Sequence, residues 1–533
     1  MLYPDDPTPG KPSLPASSPR CGGRFFGSHL LLALVLFAAS LTLFTQHNDF
    51  PYSYHPDETG KTGQIIQGSR NYHHPLLLLS ATDIVSRLTF VPREPQAIVE
   101  TGRWISAAFA AGAVVALALL AVRRYGPLAG WAAGLAMMLQ VELFETAHYF
   151  KEDPALLFGL ALSLLAVQVW WSAPSLRTLR FLGLACGVAA AGKYLGIVVL
   201  VFAVPLALWP AAGVEPADRR TRLKGFSLAF VAAFLICNLP LFATKLSSPF
   251  RSVGHEMKGV TGGHRGLTRQ VPHGEYLESL TEHTPPAVLV LAGAYALILL
   301  ATARRRTAPE WITLLFPLGY LAVLSCSPKI AGRYLLPVNV LLPFLGTLGA
   351  VEISRFIGGQ ASGARGALGL LALAGLAGAQ IYGEIPPLQK SFAGFQQDDH
   401  AAVAAWIRTN LPPDAVIAED HRVNLSPTKA NGVSKNARVP QKVFNANFAP
   451  DLGTLDELRA MGVTHVAICQ QSYRRYFRDE TKPREGARTA FDHRREFYAQ
   501  VLEQGELLRE WPPGTISYLQ PGIRLYRVAP LKN

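Results

Sequence analysis

Residues 29–61 read HLLLALVLFAASLTLFTQHNDFPYSYHPDETGK. The first part, 29–45, is an apolar run with no charged residue and close to the ~20 residues that carry a helix across a bilayer. The chain then emerges into YHPDETGK, where Asp57 and Glu58 stand beside His55 and Pro56. Ionisable residues this close to lipid are costly and are functional candidates by default.

The rest of the chain repeats the pattern. Of 533 residues half are hydrophobic and only 16% charged, too apolar for a soluble protein and too long for one domain. The apolar residues come in blocks, near 29–45, 104–122, 128–147, 155–171, 179–192, 194–210, 225–243, 287–303, 310–326, 334–352 and 366–383. This predicts a polytopic α-helical membrane protein with about eleven transmembrane helices. The Pro- and Ser-rich residues 1–28 read as a disordered cytoplasmic leader. It is long, and "AAS" is followed by further apolar residues, so the first run reads as an uncleaved anchor rather than a signal peptide.

With the N-terminus inside, the cytoplasmic loops hold Arg123 and Arg124, Arg177 and Arg180, the "DRRTRLK" run, Arg304 to Arg306, and Arg355 with Arg365. That is the positive-inside pattern. The net charge of +13 is thus partly a topology signal, and no basic stripe interleaved with aromatics points to nucleic acid. The fifth and sixth runs meet at "AGKYLG" and read as two helices, because one long helix would invert the downstream Arg pattern. The outer face then carries acids at 57, 58, 152 and 153 and bases at Lys193, Lys329 and Arg333, suited to handling a proton and an anion.

Residues 29–383 form the membrane domain and 384–533 a separate extracytoplasmic domain. In the latter, "DDHAAVAAWIRTNLP" reads as an acid-capped helix and "DAVIAED" as a strand. "LDELRAMGVTHVAICQ" reads as helix, Gly stop and strand, an alternation that predicts an α/β domain with parallel pairing. It has no GxGxxG and no P-loop. The five cysteines form no CxxC pair, so they support neither a zinc site of that type nor a disulfide framework.

"HPDE" after the first span, "NYHHPLLLLSA" at 71–81, "FKEDPALLFGLALSLLA" at 150–166, "GKYLGIVVL" at 192–200 and "GRYLLPVNVLLPFLG" at 332–346 follow one another at matching topological positions. In this order the chain resembles the C-type (GT-C) membrane glycosyltransferases. Within them it is most similar to the family 39-like branch of protein O-mannosyltransferases and bacterial lipid A aminoarabinose transferases. The resemblance covers nearly the whole chain. It implies transfer of one sugar from a polyprenyl-phosphate carrier to a lipid, glycan or protein acceptor on the outer face of an inner (plasma) membrane. The relatives leave a divalent metal near the site as an open question; no other cofactor is expected.

The residue types suit that chemistry on their own. Fixed cations stabilise the charge that builds on a departing lipid phosphate, and Lys and Arg are natural phosphate binders. A carboxylate can take the proton of the acceptor. Asp57, Glu58 and Asp153 are therefore the catalytic candidates, with Asp57 as base in an inverting displacement. Lys193, Lys329, Arg333 and Tyr334 are the phosphate-binding candidates, and His55, His74 and Glu152 further members of the site. Each has a plainer reading: solvated loop acids for 57 and 58, a helix cap for Asp153, a snorkelling stem for Lys193, an interfacial anchor for Tyr334, loop packing for His74. The loop 244–286 carries His255, His264, His273 and His283 with Glu256, Glu275, Glu278 and Glu282, at spacings that match no zinc motif, and reads as a lid. A transporter or flippase of lipid-linked sugars would share the spans and charges. Acids gathered on one face and a large terminal domain favour an enzyme over that alternative.

Overall fold

Each apolar run folds as helix. In the computed structural model, which describes residues 24–208, 218–254, 267–269, 275–326, 332–359, 363–429, 431–478, 481–483 and 486–528, the runs become eleven helical segments. These are Arg24–Phe44, Pro95–Tyr125, the bent pair Pro127–Met138 and Val141–Ala147, Asp153–Ser172, Leu176–Gly192, the 3-10 turn Tyr194–Val199 continued by Leu200–Leu208, Arg219–Cys237, Pro286–Ala301, Ala308–Ser325, Leu336–Gly358 and Ala364–Phe395. Five described helices are long and apolar enough to cross a bilayer, and the pair bent by 63° makes a sixth. The remaining segments fall short of that length or of that apolar character, so the eleven apolar runs correspond to eleven helical segments of unequal length.

Prolines start several of these helices, at Pro95, Pro127, Pro154, Pro286 and Pro309, where their missing N–H costs nothing. Helix Leu176–Gly192 packs tightly on Arg219–Cys237. A Cβ on Gly183 would fall 2.4 Å from the Phe226 carbonyl oxygen, and one on Gly187 2.5 Å from that of Phe230. Small residues four apart let two backbones approach, which is how helices associate where lipid removes the hydrophobic drive. At "AGKYLG" the helix ends at Gly192, Lys193 is extended, and a new turn begins at Tyr194. The fifth and sixth runs are thus two separate helices.

Between the first and second long helices lie two short amphipathic ones, Pro56–Ile66 and Leu77–Leu88. Helix Ala364–Phe395 continues past residue 383 without a break, so the backbone is helical where the composition changes. Beyond it, Asp398 caps helix Asp399–Asn410 by accepting from the Ala401 N–H. A six-stranded sheet follows, built from β1 (Val416–Asp420), β2 (Gly432–Val433), β3 (Lys442–Ala446), β4 (His465–Cys469), β5 (Glu506–Trp511) and β6 (Ile523–Arg527) in the order β2-β3-β1-β4-β6-β5. The central pairs β3-β1 and β1-β4 are parallel, as the alternation of helix and strand predicts, while β2, β5 and β6 pair antiparallel. Along β4, Val466 and Ile468 join the core under helix Arg488–Gln504, while Ala467 and Cys469 join the core under helix Asp399–Asn410. Both faces of the sheet are therefore buried.

Candidate active site

His55 caps helix Pro56–Ile66: its Nδ1 accepts from the Asp57 N–H at 3.1 Å. That bond leaves the proton of a neutral ring on Nε2. The ring is fully buried between Tyr149 and Tyr518, and burial, then Lys151, holds its pKa well below the usual histidine value. Pro56 opens the helix, so Asp57 and Glu58 both fall in its first turn, where the helix dipole favours acids. Their side chains then part company.

Asp57 keeps 42% of its side-chain surface open, although protein walls it on several sides. Its carboxylate lies 3.4 Å from Lys151 Nζ and 3.8 Å from Arg333. Burial alone favours the neutral acid. The positive field of Lys151, Lys61 and Arg333, with the polar His55 ring beside them, outweighs it and holds Asp57 well below the usual carboxylate range. Glu58 turns the other way. It is fully buried and takes two hydrogen bonds from Arg103, at 3.0 and 2.7 Å, and one from the Phe150 N–H at 2.8 Å. The structure thus places Glu58, expected among the catalytic carboxylates, behind the helix that presents Asp57, where it ties that helix to Arg103.

The "FKEDP" segment supplies the opposite wall. Lys151 meets Asp57, and burial, reinforced by Arg333, brings its pKa down to about 8. Glu152 is buried against Lys61 at 3.1 Å. Asp153 opens the next helix and receives Lys193 Nζ at 2.7 Å, while Glu152, not Asp153, occupies the cap position. Lys193 reaches Asp153 because the break after Gly192 extends its backbone. The Tyr334 ring completes the group, 4.7 Å from Lys193 Nζ and 5.5 Å from the Arg333 guanidinium. Three carboxylates, Asp57, Glu152 and Asp153, thus interlock with four cations, Lys61, Lys151, Lys193 and Arg333.

Two cavities flank this cluster. A small one of about 240 Å³ is walled by Asp57, Lys61, Gln64, Asn71, His74 and Glu152. The Glu152 Oε1 is buried there without a hydrogen-bond partner among the described residues. A large one of about 1090 Å³ opens on the other side of Arg333. Its walls come from helix Val141–Ala147, the end of the 244–286 loop at Thr281 and Thr284, helix Ala364–Phe395, and residues 513–520 of the sheet domain.

The structure therefore brings together Asp57, Glu152, Asp153, Lys193, Arg333 and Tyr334, with His55 behind them and His74 in the small cavity. Lys329 lies outside the described residues, as do His255, Glu256, His264 and His273 of the loop read as a lid. Among the described residues no group of three or more His, Cys, Asp or Glu side chains could hold a metal ion. Sequence reading missed three residues. Lys61 was legible, four residues after Asp57 and so on the same helix face. Lys151 sat inside a quoted motif. Arg103, a cation at the very edge of the apolar run 104–122, was the signal for a buried carboxylate partner.

No protein-family model and no curated protein sequence matches the chain. Solved structures do. ArnT from Cupriavidus metallidurans bound to undecaprenyl phosphate is 14% identical, covering 96% of this chain and 100% of its own, at a TM-score of 0.50. The archaeal oligosaccharyltransferase AglB from Archaeoglobus fulgidus, in complex with an inhibitory peptide and a dolichol-phosphate, is 11% identical. That match covers 84% of this chain and 70% of AglB, at a TM-score of 0.51. The fold is the GT-C fold that the ordered motifs imply.

Proposed function

We propose that this GT-C-fold membrane protein is a glycosyltransferase that moves one sugar from a polyprenyl-phosphate donor to an acceptor at the outer face of the membrane. The observation that carries the reading is the position of Asp57. It lines the small polar cavity and pairs with Arg333, which lines the large one. An ionised carboxylate, a cation cluster and two cavities meeting at one point are what a single displacement at an anomeric carbon requires.

In this reading the donor's sugar occupies the small cavity, where Gln64, Asn71, His74 and Glu152 offer hydrogen-bond partners to hydroxyls. Its phosphate lies against Lys151, Lys193 and Arg333, which stabilise the charge that develops as the sugar leaves. The acceptor enters through the large cavity. Asp57 takes its proton, and attack from the face opposite the phosphate inverts the anomeric centre.

The depressed pKa of Asp57 bears on this step. A carboxylate held by cations is always ionised but is a weak base. A bound phosphate competes for Lys151 and Arg333 and so removes part of the field on Asp57. Its proton affinity rises when the donor is in place, which couples proton uptake to donor binding. ArnT with undecaprenyl phosphate and AglB with dolichol-phosphate support the donor class by likeness of fold. Asp57→Asn, assayed for sugar transfer and for undecaprenyl phosphate binding in parallel, tests the reading. A flippase would move lipid-linked sugar with Asp57 replaced and would form no new glycosidic bond.

A further inference from the structure

The membrane domain ties down the chain on either side of residues 53–55, and the sheet domain grips those three. Arg103 donates to the backbone oxygens of Asn48 and Phe50 and to Glu58, and Gln96 accepts from the Tyr52 N–H. Between these ties, the Ser53 hydroxyl accepts from Asn424 Nδ2 and from Arg438, each at 3.3 Å. Tyr54 donates its O–H to Asp398 at 2.6 Å and accepts from Arg438 at 3.0 Å, and its ring lies 4.3 Å from that of His400. The His55 ring lies 4.1 Å from Tyr518 of the sheet domain and 5.0 Å from Tyr149 of the membrane domain. Its Nδ1 is occupied by the Asp57 N–H, and its Nε2 has no hydrogen-bond partner among the described residues. The two tyrosine rings therefore hold the imidazole in orientation, and the imidazole caps the first turn of the helix that presents Asp57.

Tyr518 belongs to the loop that joins β5 to β6. That loop is closed on itself: the Gly514 N–H donates to the Gln520 carbonyl at 3.1 Å, and the Ile516 N–H to Gln520 Oε1 at 3.3 Å. Ile516 and Leu519 are buried in the core of the membrane domain, and Gln520 Nε2 donates to Gln397 at 2.7 Å. Pro513, Gly514, Thr515 and Gln520 of the same loop wall the large cavity. We infer that Tyr518 is a positioning residue for the transfer reaction: seated on His55, it sets where Asp57 stands relative to an acceptor in the large cavity. This rests on the reading of Asp57 as the base and of that cavity as the acceptor's place. A general base works only within hydrogen-bond reach of the proton it takes, and a displacement of about 1 Å can cost roughly a hundredfold in rate. One pinned loop that carries both the cavity wall and the Tyr518 ring gives base and acceptor a common frame. The sheet domain thus acts on the reaction through His55 rather than by contact with the Asp57 carboxylate.

The test is hydrogen exchange of the full chain in nanodiscs, read on peptides covering residues 57–61, beside sugar transfer and undecaprenyl phosphate binding on the same preparations. Tyr518→Ala should speed exchange at 57–61 roughly tenfold, through loss of an aromatic contact and its buried area. It should lower kcat by roughly tenfold or more and leave undecaprenyl phosphate affinity unchanged. Tyr518→Phe, which keeps the ring, should restore both exchange and kcat. Exchange along β4 in the sheet core should stay at the parent rate, which a general loosening of the fold would not allow. Where Tyr518→Ala does not fold, Tyr54→Phe carries the same test, because it cuts the hydroxyl's bonds to Asp398 and Arg438; exchange at 57–61 should again quicken and kcat fall. Parent-like exchange at 57–61 or a parent-like kcat in the folded variant, with transfer lost in Asp57→Asn, overturns this inference alone. So does a fall in undecaprenyl phosphate affinity as large as the fall in kcat. Asp57→Asn that transfers sugar at the parent rate overturns the reading of Asp57 as base, and the inference with it.

Discussion

Glu58 and Arg103 face each other through two hydrogen bonds, 3.0 and 2.7 Å long, with both side chains fully buried. Arg103 also donates to the backbone oxygens of Asn48 and Phe50, so one guanidinium ties the exit of the first helix to the start of the second long one. Removing one member of such a pair leaves an uncompensated buried charge, at a cost of about 3–5 kcal/mol. Arg103→Met should therefore lower the thermal midpoint of the purified protein markedly. Glu58→Gln, which keeps the shape and some of the hydrogen bonds, should lower it less. An unchanged midpoint for Arg103→Met would mean that the pair does not hold this corner.

That pair also marks where the sequence stopped being legible. The eleven apolar runs, the break at Lys193 and the alternating pattern of the sheet domain could all be read, because periodicity and charge placement are local. The acids at 57 and 58 looked equivalent only because they are adjacent. Consecutive helical residues project ~100° apart, so once Pro56 starts a helix the two side chains leave it in different directions. Which one turns inward depends on Arg103, 45 residues away, and no local pattern contains that information. The sorting of acids between the cavities was likewise hidden: Glu142 and Glu145 lie in an apolar run and become a cavity wall only where the bent pair Pro127–Met138 and Val141–Ala147 turns by 63°.

Arg333 should carry donor affinity. Its guanidinium is 36% exposed and only loosely paired with Asp57, at 3.8 Å, so it can turn to a phosphate at small cost. Loss of one charge-assisted contact is worth about 1.5–3 kcal/mol, or roughly ten- to hundredfold in the dissociation constant. Arg333→Ala, titrated with undecaprenyl phosphate, should show that loss with an unchanged thermal midpoint. Lys193→Ala is a less clean probe, since it also strips Asp153 of its 2.7 Å partner. Parent-like affinity in Arg333→Ala would remove this residue from the phosphate site.

Lys151 predicts a pH dependence. Burial and Arg333 bring its pKa down to about 8, so its charge disappears as pH rises from 7 to 9. Ordinary lysines and arginines stay protonated there, and a phosphate monoester, with a second pKa of about 6, is already doubly ionised. Undecaprenyl phosphate affinity should therefore fall with rising pH across that window. Lys151→Arg, which stays charged, should flatten the profile. A flat profile in the parent chain would show that the Lys151 charge plays no part in donor binding.

The orientation follows from the Arg clusters. If Arg123, Arg177 and Arg304 lie in cytoplasmic loops, the sheet domain after residue 396 lies on the opposite side, with Asp57. A cysteine at exposed Thr409, in a background lacking Cys21, Cys237 and Cys326, should react with a membrane-impermeant maleimide added to the outside of intact cells. Reaction only after lysis would place the domain in the cytoplasm and would move the proposed chemistry there with it.

Asp57 is the residue on which the proposed mechanism turns. Asp57→Asn keeps the size of the side chain and leaves the backbone N–H to His55 untouched, since that bond uses the main chain. It removes the charge that Lys151 and Arg333 face. Two consequences follow with opposite signs. Transfer should fall by a factor of about 10²–10⁴, the usual contribution of a positioned general base. Undecaprenyl phosphate should bind as tightly as in the parent chain or more tightly, because the two cations no longer divide their attraction between a carboxylate and a phosphate. A general loss of structure would weaken both activities together, so the split between them isolates the base. If Asp57→Asn still transfers sugar at close to the parent rate, the proton goes elsewhere, and Asp153, buried against Lys193, is the next carboxylate to replace. The anomeric configuration of the product checks the displacement itself: one attack with Asp57 as base inverts the centre, and a retained configuration would require a covalent sugar–enzyme intermediate that this reading does not contain.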